Sequence, residues 1–502
     1  MATDTIARGM AEGVVSQVSA DKQAVSEDRN AVEAAKTEVL NVAESIPEDY
    51  STLSADVSEL KEDLVNIKNR TIDKLKIVKS IISKPNDFVW TSNMPITIRR
   101  NIDGEISTDI ETLDYKFGGK TYYVAMNGND SRDGLTPETA FRSVYKARSM
   151  DDVRTIIVSD GWYDVKYAFD SNSTGVSGYK DLDIIGIGNV YLTTTYTVSW
   201  SKTESYTNLY QTTRALTCDI YDTTTLDEFG DYTKYTKVSD LTVCNNTEGS
   251  WFIDTSNVVY VHTIGNKIPN NDFIKVFLMV GNFKSIGDKN LYFENIKFYG
   301  GGKEDGTYGG CVEVEIGTDS NAKIVCKDCE FKYNYRGAGA FISRGYDSVL
   351  IGCSVSNTYL DGFNYHYLSG KKIAHAIEIN CNGHNCGDIN GESSDQISTI
   401  HDGSKIIRIN CDYSHSVGCP IHDVNTNTQS WNLGVLCSNS LSTRENSKAN
   451  FGVSTGAEMW LDTCGGYESP KAYFSDSTSS IHKHNCIFDT DIVYATGTID
   501  EY

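Results

Sequence analysis

Seven cysteines in the C-terminal part of the chain return every 22–30 residues: Cys329, Cys353, Cys381, Cys411, Cys437, Cys464 and Cys486. Their settings are alike and turn-like, reading Asp-Cys-Glu-Phe, Gly-Cys-Ser-Val, Asn-Cys-Asn-Gly, Asn-Cys-Asp-Tyr, Leu-Cys-Ser-Asn, Thr-Cys-Gly-Gly and Asn-Cys-Ile-Phe. Ile296, in Glu-Asn-Ile-Lys-Phe, opens the series one repeat earlier. One small apolar residue at a fixed place in a repeat of this length marks a solenoid, in which each turn of chain stacks on the one before. The intervening segments are short β-branched runs broken by Gly, Asn, Asp and Ser, so the turns are made of strands and not helices. The expected body is a parallel β-helix with a ladder of thiols pointing inward.

That body decides the cysteine chemistry. Thirteen cysteines are present, an odd count whose spacing follows the repeat. Buried Cys behaves as a small hydrophobe, so free stacked thiols are expected in place of a disulfide framework. Cys326/Cys329 and Cys381/Cys386 fall within or beside a turn of the solenoid, not on a zinc knuckle, and no metal site is expected from them. A net charge of −23 removes the electrostatic basis for binding nucleic acid or anionic membranes, and no basic stripe offsets it. The opening Met-Ala-Thr-Asp-Thr lacks the basic and apolar regions of a secretion signal, and no apolar stretch is long enough to span a bilayer. Synthesis in a cytosol and a soluble product are the expectation.

The first part of the chain reads as helical. Val18, Val25, Val32, Val39 and Ile46 fall at sevens, with Ala11, Val14, Ala35 and Val42 at intervening positions and Asp21 and Asp28 interrupting the second row. After Pro47 a second seam runs through Tyr50, Leu53, Val57, Leu60, Leu64 and Ile67, and continues less cleanly to Val78 and Ile81. Heptad stripes need partner helices to bury them, which favours an intermolecular coiled coil over helices packed on the body. The chain then divides into a helical coiled-coil region over 1–86, a polar connector over 87–119, a capped start of the solenoid over 120–190, a hairpin-rich insertion over 191–285 and solenoid turns over 286–502. The cap is read from Tyr122-Tyr123-Val124, an Asn/Asp/Gly-rich turn through Gly134, and Thr136-Pro137-Glu138 opening a helix. An uncapped β-helix end exposes unpaired backbone and invites aggregation.

The run Tyr-Val-x-x-Asn-Gly-Asn-Asp-x-x-Asp-Gly-Leu-Thr-Pro-Glu-Thr-Ala-Phe, over residues 123–141, resembles the opening segment of pectate-lyase-like right-handed parallel β-helix proteins. The insertion, with Gly249-Ser250-Trp251-Phe252-Ile253-Asp254 and Val258-Val259-Tyr260-Val261-His262, is similar to hairpin-rich insertions of carbohydrate-active proteins of that kind. Heptads ahead of a β-helix resemble phage tail spikes and tail or collar appendages. The resemblance covers roughly 120–490 and implies a right-handed coil and a homotrimer. It further implies a virion protein that meets other tail or collar proteins through its N-terminus and a bacterial surface polysaccharide through its body. It does not fix an activity, since such proteins include lyases, hydrolases and plain binders. A non-catalytic adhesive fibre and a bacterial glycan lyase or hydrolase stay open beside a depolymerising tail spike.

Alignment on the thiol ladder places a second strand in each repeat. These read Ala340-Phe341-Ile342-Ser343-Arg344, Gly362-Phe363-Asn364-Tyr365-His366, Ser398-Thr399-Ile400-His401-Asp402 and Pro420-Ile421-His422-Asp423. Equivalent positions on stacked turns lie about 4.8 Å apart, so Arg344, His366, His401 and His422 are expected in one column, with Asp402 and Asp423 beside the last two. A carboxylate beside an imidazole or another carboxylate acquires a shifted pKa suited to acid–base work. Glycosidases need two carboxyls, roughly 5 Å apart for retention and 6.5–9.5 Å for inversion. His401, Asp402, His422 and Asp423, with Asp395, are therefore the candidate catalytic residues. Arg344, Asp361, Tyr365, His366 and Trp431 are the candidate ligand contacts. A lyase would use Arg344 or a histidine as base, with a cation such as Ca²⁺ neutralising a uronate. The plainer reading is structural. Asp361-Gly362 and Asp402-Gly403 are ordinary turn chemistry, and strand alternation turns Ile400 and Ile421 inward, leaving Asp402 and Asp423 leaning inward or starting a turn. His375, His384, His415, His482 and His484 read as loop or surface residues. Tyr359, Tyr367 and Trp460 fit sugar stacking as well as core capping.

Overall fold

From residue 295 onward each turn of the solenoid bends through one residue held in the left-handed region. Asn295, Asp328, Gly352, Asn380, Asn410, Gly434, Thr463 and Asn485 all have φ between 51° and 61°. Gly, Asn and Asp accept that conformation more easily than other residues, which is why they precede the ladder in the sequence. The next residue in each case is the ladder residue: Ile296, Cys329, Cys353, Cys381, Cys411, Val435, Cys464 and Cys486. Cys437 is therefore not a member, contrary to the expectation above. It lies two residues further on, paired with Tyr413 and Gly466, because Gly434 supplies the bend and Val435 follows it.

The computed structural model describes residues 78–502 apart from positions 95, 103, 113–115, 117, 169–175, 178–179, 303–308, 319–320, 388–394 and 443–447. The heptads of residues 1–77 lie outside the described residues. Each turn contributes three strands, as in Asp361–His366, His375–Ile379 and Asn382–Cys386. Each strand pairs in parallel with its counterparts one turn away. The first strands stack into a ten-stranded sheet from Val176–Ser177 to Val493–Ala495, here termed the histidine face. The second and third strands form a strap face and an insertion face, named for what covers them.

The lumen is filled by apolar side chains from all three faces, including Phe293, Phe331, Phe363 and Phe451. Phe298 and Phe331 stack with centroids 5.7 Å apart. Along the ladder five thiols donate to a carbonyl of the turn before: Cys353 to Cys326, Cys381 to Leu350, Cys411 to Glu378, Cys464 to Asn432 and Cys486 to Leu461, at 3.3–3.6 Å. All thirteen cysteines are free. In-register residues on parallel neighbours stay about 4.8 Å apart, beyond the roughly 3.5–4.5 Å separation of Cβ atoms in a disulfide. Burial pushes the Cys329, Cys353, Cys381 and Cys411 thiols up. Cys486, half-buried, is held below its ordinary value by the Cys464 hydrogen bond. A thiol reagent should therefore modify about one site per native chain, Cys486, and all thirteen after denaturation. Fast modification of several native thiols would contradict a closed ladder.

The start of the solenoid is capped by Pro137–Thr139, a 3-10 turn with a capping box from Thr136, and by the helix Val144–Ser149, capped by Ser143. Phe141, Val144 and Ala147 bury against the lumen core. Gly134 (φ +68°) lies so close to the Phe141 ring that a Cβ would come within 2.4 Å of it, so this turn requires glycine.

Two elements cover the outside. Strands Val78–Ile82, Ile98–Asn101 and Ile106–Thr108 form a small antiparallel sheet, so the helical seam expected to reach Val78 and Ile81 gives way to a strand there. Together with Phe88, Met94 and Ile110 this strap packs on Val349, Ile377, Ile407, Trp431 and Trp460. The strap-face strand Lys405–Ile409 is consequently buried at every residue. The insertion folds into two further sheets around its own core of Ile220, Trp251, Val259 and Val276. No helix among the described residues is long and apolar enough to cross a membrane.

Candidate functional site

The histidine face brings part of the expected column together. Arg344 pairs with His366 in the sheet, and the His366 and His401 rings stack with centroids 4.5 Å apart and planes 7° from parallel. Asp402, exposed at a left-handed position (φ 59°), has its Oδ2 3.6 Å from His366 Nδ1. His422 is out of the column. Ser398 pairs with Ile421, which sets Thr399 against His422, and Thr399 Oγ1 donates to the His422 carbonyl. The repeated Ile-His-Asp is thus shifted by two residues between turns, with Ile421 opposite Ser398 and Asp423 opposite Ile400, whose N–H donates to Asp423 Oδ1. Burial pushes His366 down to about 4, with the Arg344 charge adding to it. Burial likewise lowers His401 to about 3, with His366 adding to it, and His422 to about 4. All three imidazoles are neutral at pH 7 and weak as bases. Arg344 is 5% exposed and its Nη1 lies 2.6 Å from Glu313 Oε1.

Asp423 is not a surface carboxylate. It is fully buried in the lumen, where Arg408 Nη1 and Nη2 donate to its two oxygens at 3.0 and 2.9 Å. Arg408 Nε donates to Ser398 Oγ at 2.8 Å and lies 3.4 Å from Glu378 Oε2. Glu378 in turn accepts from Tyr365, Ser398 and Tyr413 hydroxyls at 2.7–2.9 Å. Tyr365 therefore serves the lumen network and is closed to a ligand. Trp431 lies on a different face, under Phe88 at 6.0 Å, and its ring is committed to the strap.

A concave site lies elsewhere, between the insertion and the corner where the insertion face meets the histidine face. It is a cleft of about 650 Å³. Its solenoid wall carries Tyr335, Tyr359, Asn357, Asn385 and His415, and its insertion wall carries Asp219, Tyr221 and Lys234. Asn357, Asn385 and His415 occupy one corner position with φ of 52°, 51° and 58°. Two lining residues hold orphaned buried polar atoms, Asn334 Oδ1 and His415 Nδ1. Asn439 Nδ2 lies 2.7 Å from His415 Nε2, so Nε2 accepts and Nδ1 carries the proton of the neutral ring. The cleft thus offers one unmet acceptor and one unmet donor, with tyrosines beside them. Burial raises the Asp219 carboxyl, opposed by Lys234 with its Nζ at 2.9 Å.

A clamp fixes the insertion wall. Asp231, on the turn between strands Thr217–Leu226 and Tyr232–Lys234, reaches a single outward column of the insertion face, Lys332, Ser356 and His384, on three successive turns. Lys332 Nζ lies 2.7 Å from Oδ1. Ser356 Oγ, Asn357 Nδ2 and His384 Nε2 lie 2.7, 2.6 and 2.8 Å from Oδ2. Burial alone would raise this carboxyl, but the His384 contact and the Lys332 charge outweigh it and hold Asp231 well below the usual carboxylate range. Phe229 stacks on His384 at 4.7 Å and meets the His415 ring edge-on at 4.7 Å. His384 and His415 are therefore part of the clamp and the cleft, not loop residues. His375 is buried on the strap face, its Nε2 2.8 Å from Thr91 Oγ1.

Asp361 and Asp395 stand at the solenoid edge of the cleft. Asp361 follows lining residue Tyr359 by two residues, and a Cβ placed on lining residue Gly387 would come within 3.0 Å of Asp395 Cβ. The Gln396 N–H donates to Asp361 Oδ1 at 2.9 Å and Asn364 Nδ2 donates to Oδ2. Burial, together with the Asp395 charge, pushes Asp361 up to about 8. Among the described residues no group of three His, Cys, Asp or Glu side chains is arranged to hold a metal ion.

The strip and the two aspartates were approachable from the ladder, whereas Asp219, Asp231, Lys234 and Asn334 carry no repeat signal. A usable signal existed for His415. Asn357, Asn385 and His415 each lie four residues after a ladder cysteine, so the same ruler places them in one column.

No protein-family model and no curated protein matches the chain. Among solved structures it is similar to a "Glycoside hydrolase" (TM-score 0.48, 11% identity, 76% of this chain and 96% of that one). It is similar to a "Rhamnogalacturonan lyase" (0.32, 13%, 73% and 73%) and to the "Siphovirus 9NA tailspike receptor binding domain" (0.28, 10%, 72% and 75%). At these scores and identities the likenesses assign no activity, and the functional reading stands on the cleft.

Proposed function

We propose that this chain is a phage tail spike or tail appendage that binds a bacterial surface polysaccharide in the cleft between its insertion and its solenoid. The observation that carries the reading is the pairing of an orphaned acceptor, Asn334 Oδ1, with an orphaned donor, His415 Nδ1–H, beside Tyr335 and Tyr359. A sugar hydroxyl both donates and accepts, and tyrosine rings provide faces for pyranose stacking, so a hydroxyl-rich polymer meets both needs. The spike role is supported by the opening-segment motif and the N-terminal heptads. It includes a homotrimer held through those heptads, a right-handed coil and attachment to other tail or collar proteins.

The test is light scattering on the full chain with a panel of purified capsule, O-antigen and wall polysaccharides, with and without Ca²⁺. A trimeric mass and saturable binding of one polymer class are expected. His415→Ala with Tyr359→Ala should weaken binding about tenfold or more, as loss of a hydrogen bond and a stacking surface implies. A monomeric mass would remove the spike reading. Failure of every polymer, or binding indifferent to both substitutions, would remove the cleft.

A further inference from the structure

We propose that Asp361 and Asp395 are the proton donor and the proton acceptor of a glycoside-hydrolysing site at the solenoid edge of the cleft. This rests on the reading of the cleft as a glycan site and adds turnover to it. The two aspartates occupy neighbouring turns, Asp361 opening its strand of the histidine face and Asp395 lying just ahead of the next. The Gly362 N–H donates to the Gln396 carbonyl and the Gln396 N–H returns to Asp361 Oδ1, which locks the two turns together at this point. The residues are 9% and 7% exposed, and both adjoin lining residues, Tyr359 for one and Gly387 for the other. Two carboxyls this close in a poorly hydrated place do not both ionise, and Asp361 is the one whose proton is retained at neutral pH.

Hydrolysis needs this division of labour, one carboxyl protonated and one ionised. The histidine strip does not provide it, since its three imidazoles are all neutral. A ligand is indicated independently by Asn334, which lines the same cleft, is 4% exposed and has no partner for Oδ1. In the step, Asp361 gives its proton to the glycosidic oxygen as the bond from that oxygen to the anomeric carbon breaks. Water adds to the carbon and its proton passes to the Asp395 carboxylate. The products are two shorter chains, one with a new reducing end, and exchange of protons with solvent restores both carboxyls.

The experiment follows new reducing ends from the polysaccharides that full-length protein binds. Wild type should release them. Asp361→Asn and Asp395→Asn should each lower the rate about a hundredfold or more, while binding the same polymer within about threefold and keeping the wild-type thermal midpoint. Binding without any product, or near-wild-type rates in both well-folded variants, overturns the assignment while leaving the cleft reading intact. No binding at all overturns both. Where a variant folds poorly, the wild-type pH profile reads the same pair. The titratable groups facing Asp361 are Asp395 and the Cys386 thiol, and burial pushes that thiol far up. The rate should therefore fall above about pH 8 as Asp361 loses its proton, and a rate that stays flat well beyond that overturns the assignment.

Discussion

Replacing Arg408 by methionine is expected to destabilise the solenoid by about 3–5 kcal/mol, the usual cost of removing one partner from a buried ion pair. Arg408 is fully buried between Asp423 and Glu378, and its loss leaves two carboxyls facing each other in an apolar lumen. Burial already raises Glu378, with the Arg408 charge and the Tyr413, Tyr365 and Ser398 hydroxyls opposing that rise. Without the guanidinium one or both carboxyls must take up a proton. The measurement is the midpoint of denaturant unfolding followed by far-UV circular dichroism. Arg408→Met with Glu378→Gln and Asp423→Asn should recover most of the loss, because no uncompensated charge then remains. A single substitution within about 1 kcal/mol of wild type would mean that the lumen network contributes little.

Asp231→Ala should act on a different property. One carboxylate holds Lys332, Ser356, Asn357 and His384 from three turns, so its removal strips the insertion of its polar anchor and leaves the Lys332 charge without its nearest partner. A cost of about 3 kcal/mol falls on docking, since the insertion has its own core and the solenoid its own ladder. Hydrogen exchange should quicken in Thr217–Leu226 and Tyr232–Lys234 while the lumen strands keep their protection. Glycan binding should fall by two orders of magnitude or more, because the wall bearing Asp219 and Lys234 loses its position. Unchanged exchange in the two insertion strands would show that the apolar contacts around Phe229 suffice.

The sequence carried the features that repeat and missed those made between distant parts. Asn, Asp or Gly ahead of a small apolar residue is a local requirement of the left-handed bend, so the ladder was readable from single turns. Cys437 looks like a member by residue type alone, but the bend and not the thiol sets the ladder, and Gly434 puts its position at Val435. The two-residue slip that separates His422 from His401 comes from the pairing of Ser398 with Ile421, which a repeat count does not resolve. Trp431 carried no local sign of its partner Phe88, some 340 positions away. Asp231 is likewise separated from its partners by 101–153 positions, and an isolated turn aspartate gives no hint of them. The cleft inherits this limit. Its solenoid wall follows the ruler, and its other wall comes from a hairpin whose landing place only the folded chain specifies.

Residues 88–92 run along the solenoid axis, across the strands. Phe88 meets Trp460 and Trp431, Val89 the Gln429 side chain, Trp90 and Thr91 the His375 ring, and Ser92 the Asp347 carboxylate. These partners sit on strands of four different turns. A stack of parallel strands pulled at one end peels a single strand at a time, each carrying the whole force in sequence. Tension entering through the strap is instead divided among several turns at once and loads them in shear. A body tethered through residue 78 would thereby resist being dragged from its anchor through the very segment that composition marks as a featureless link.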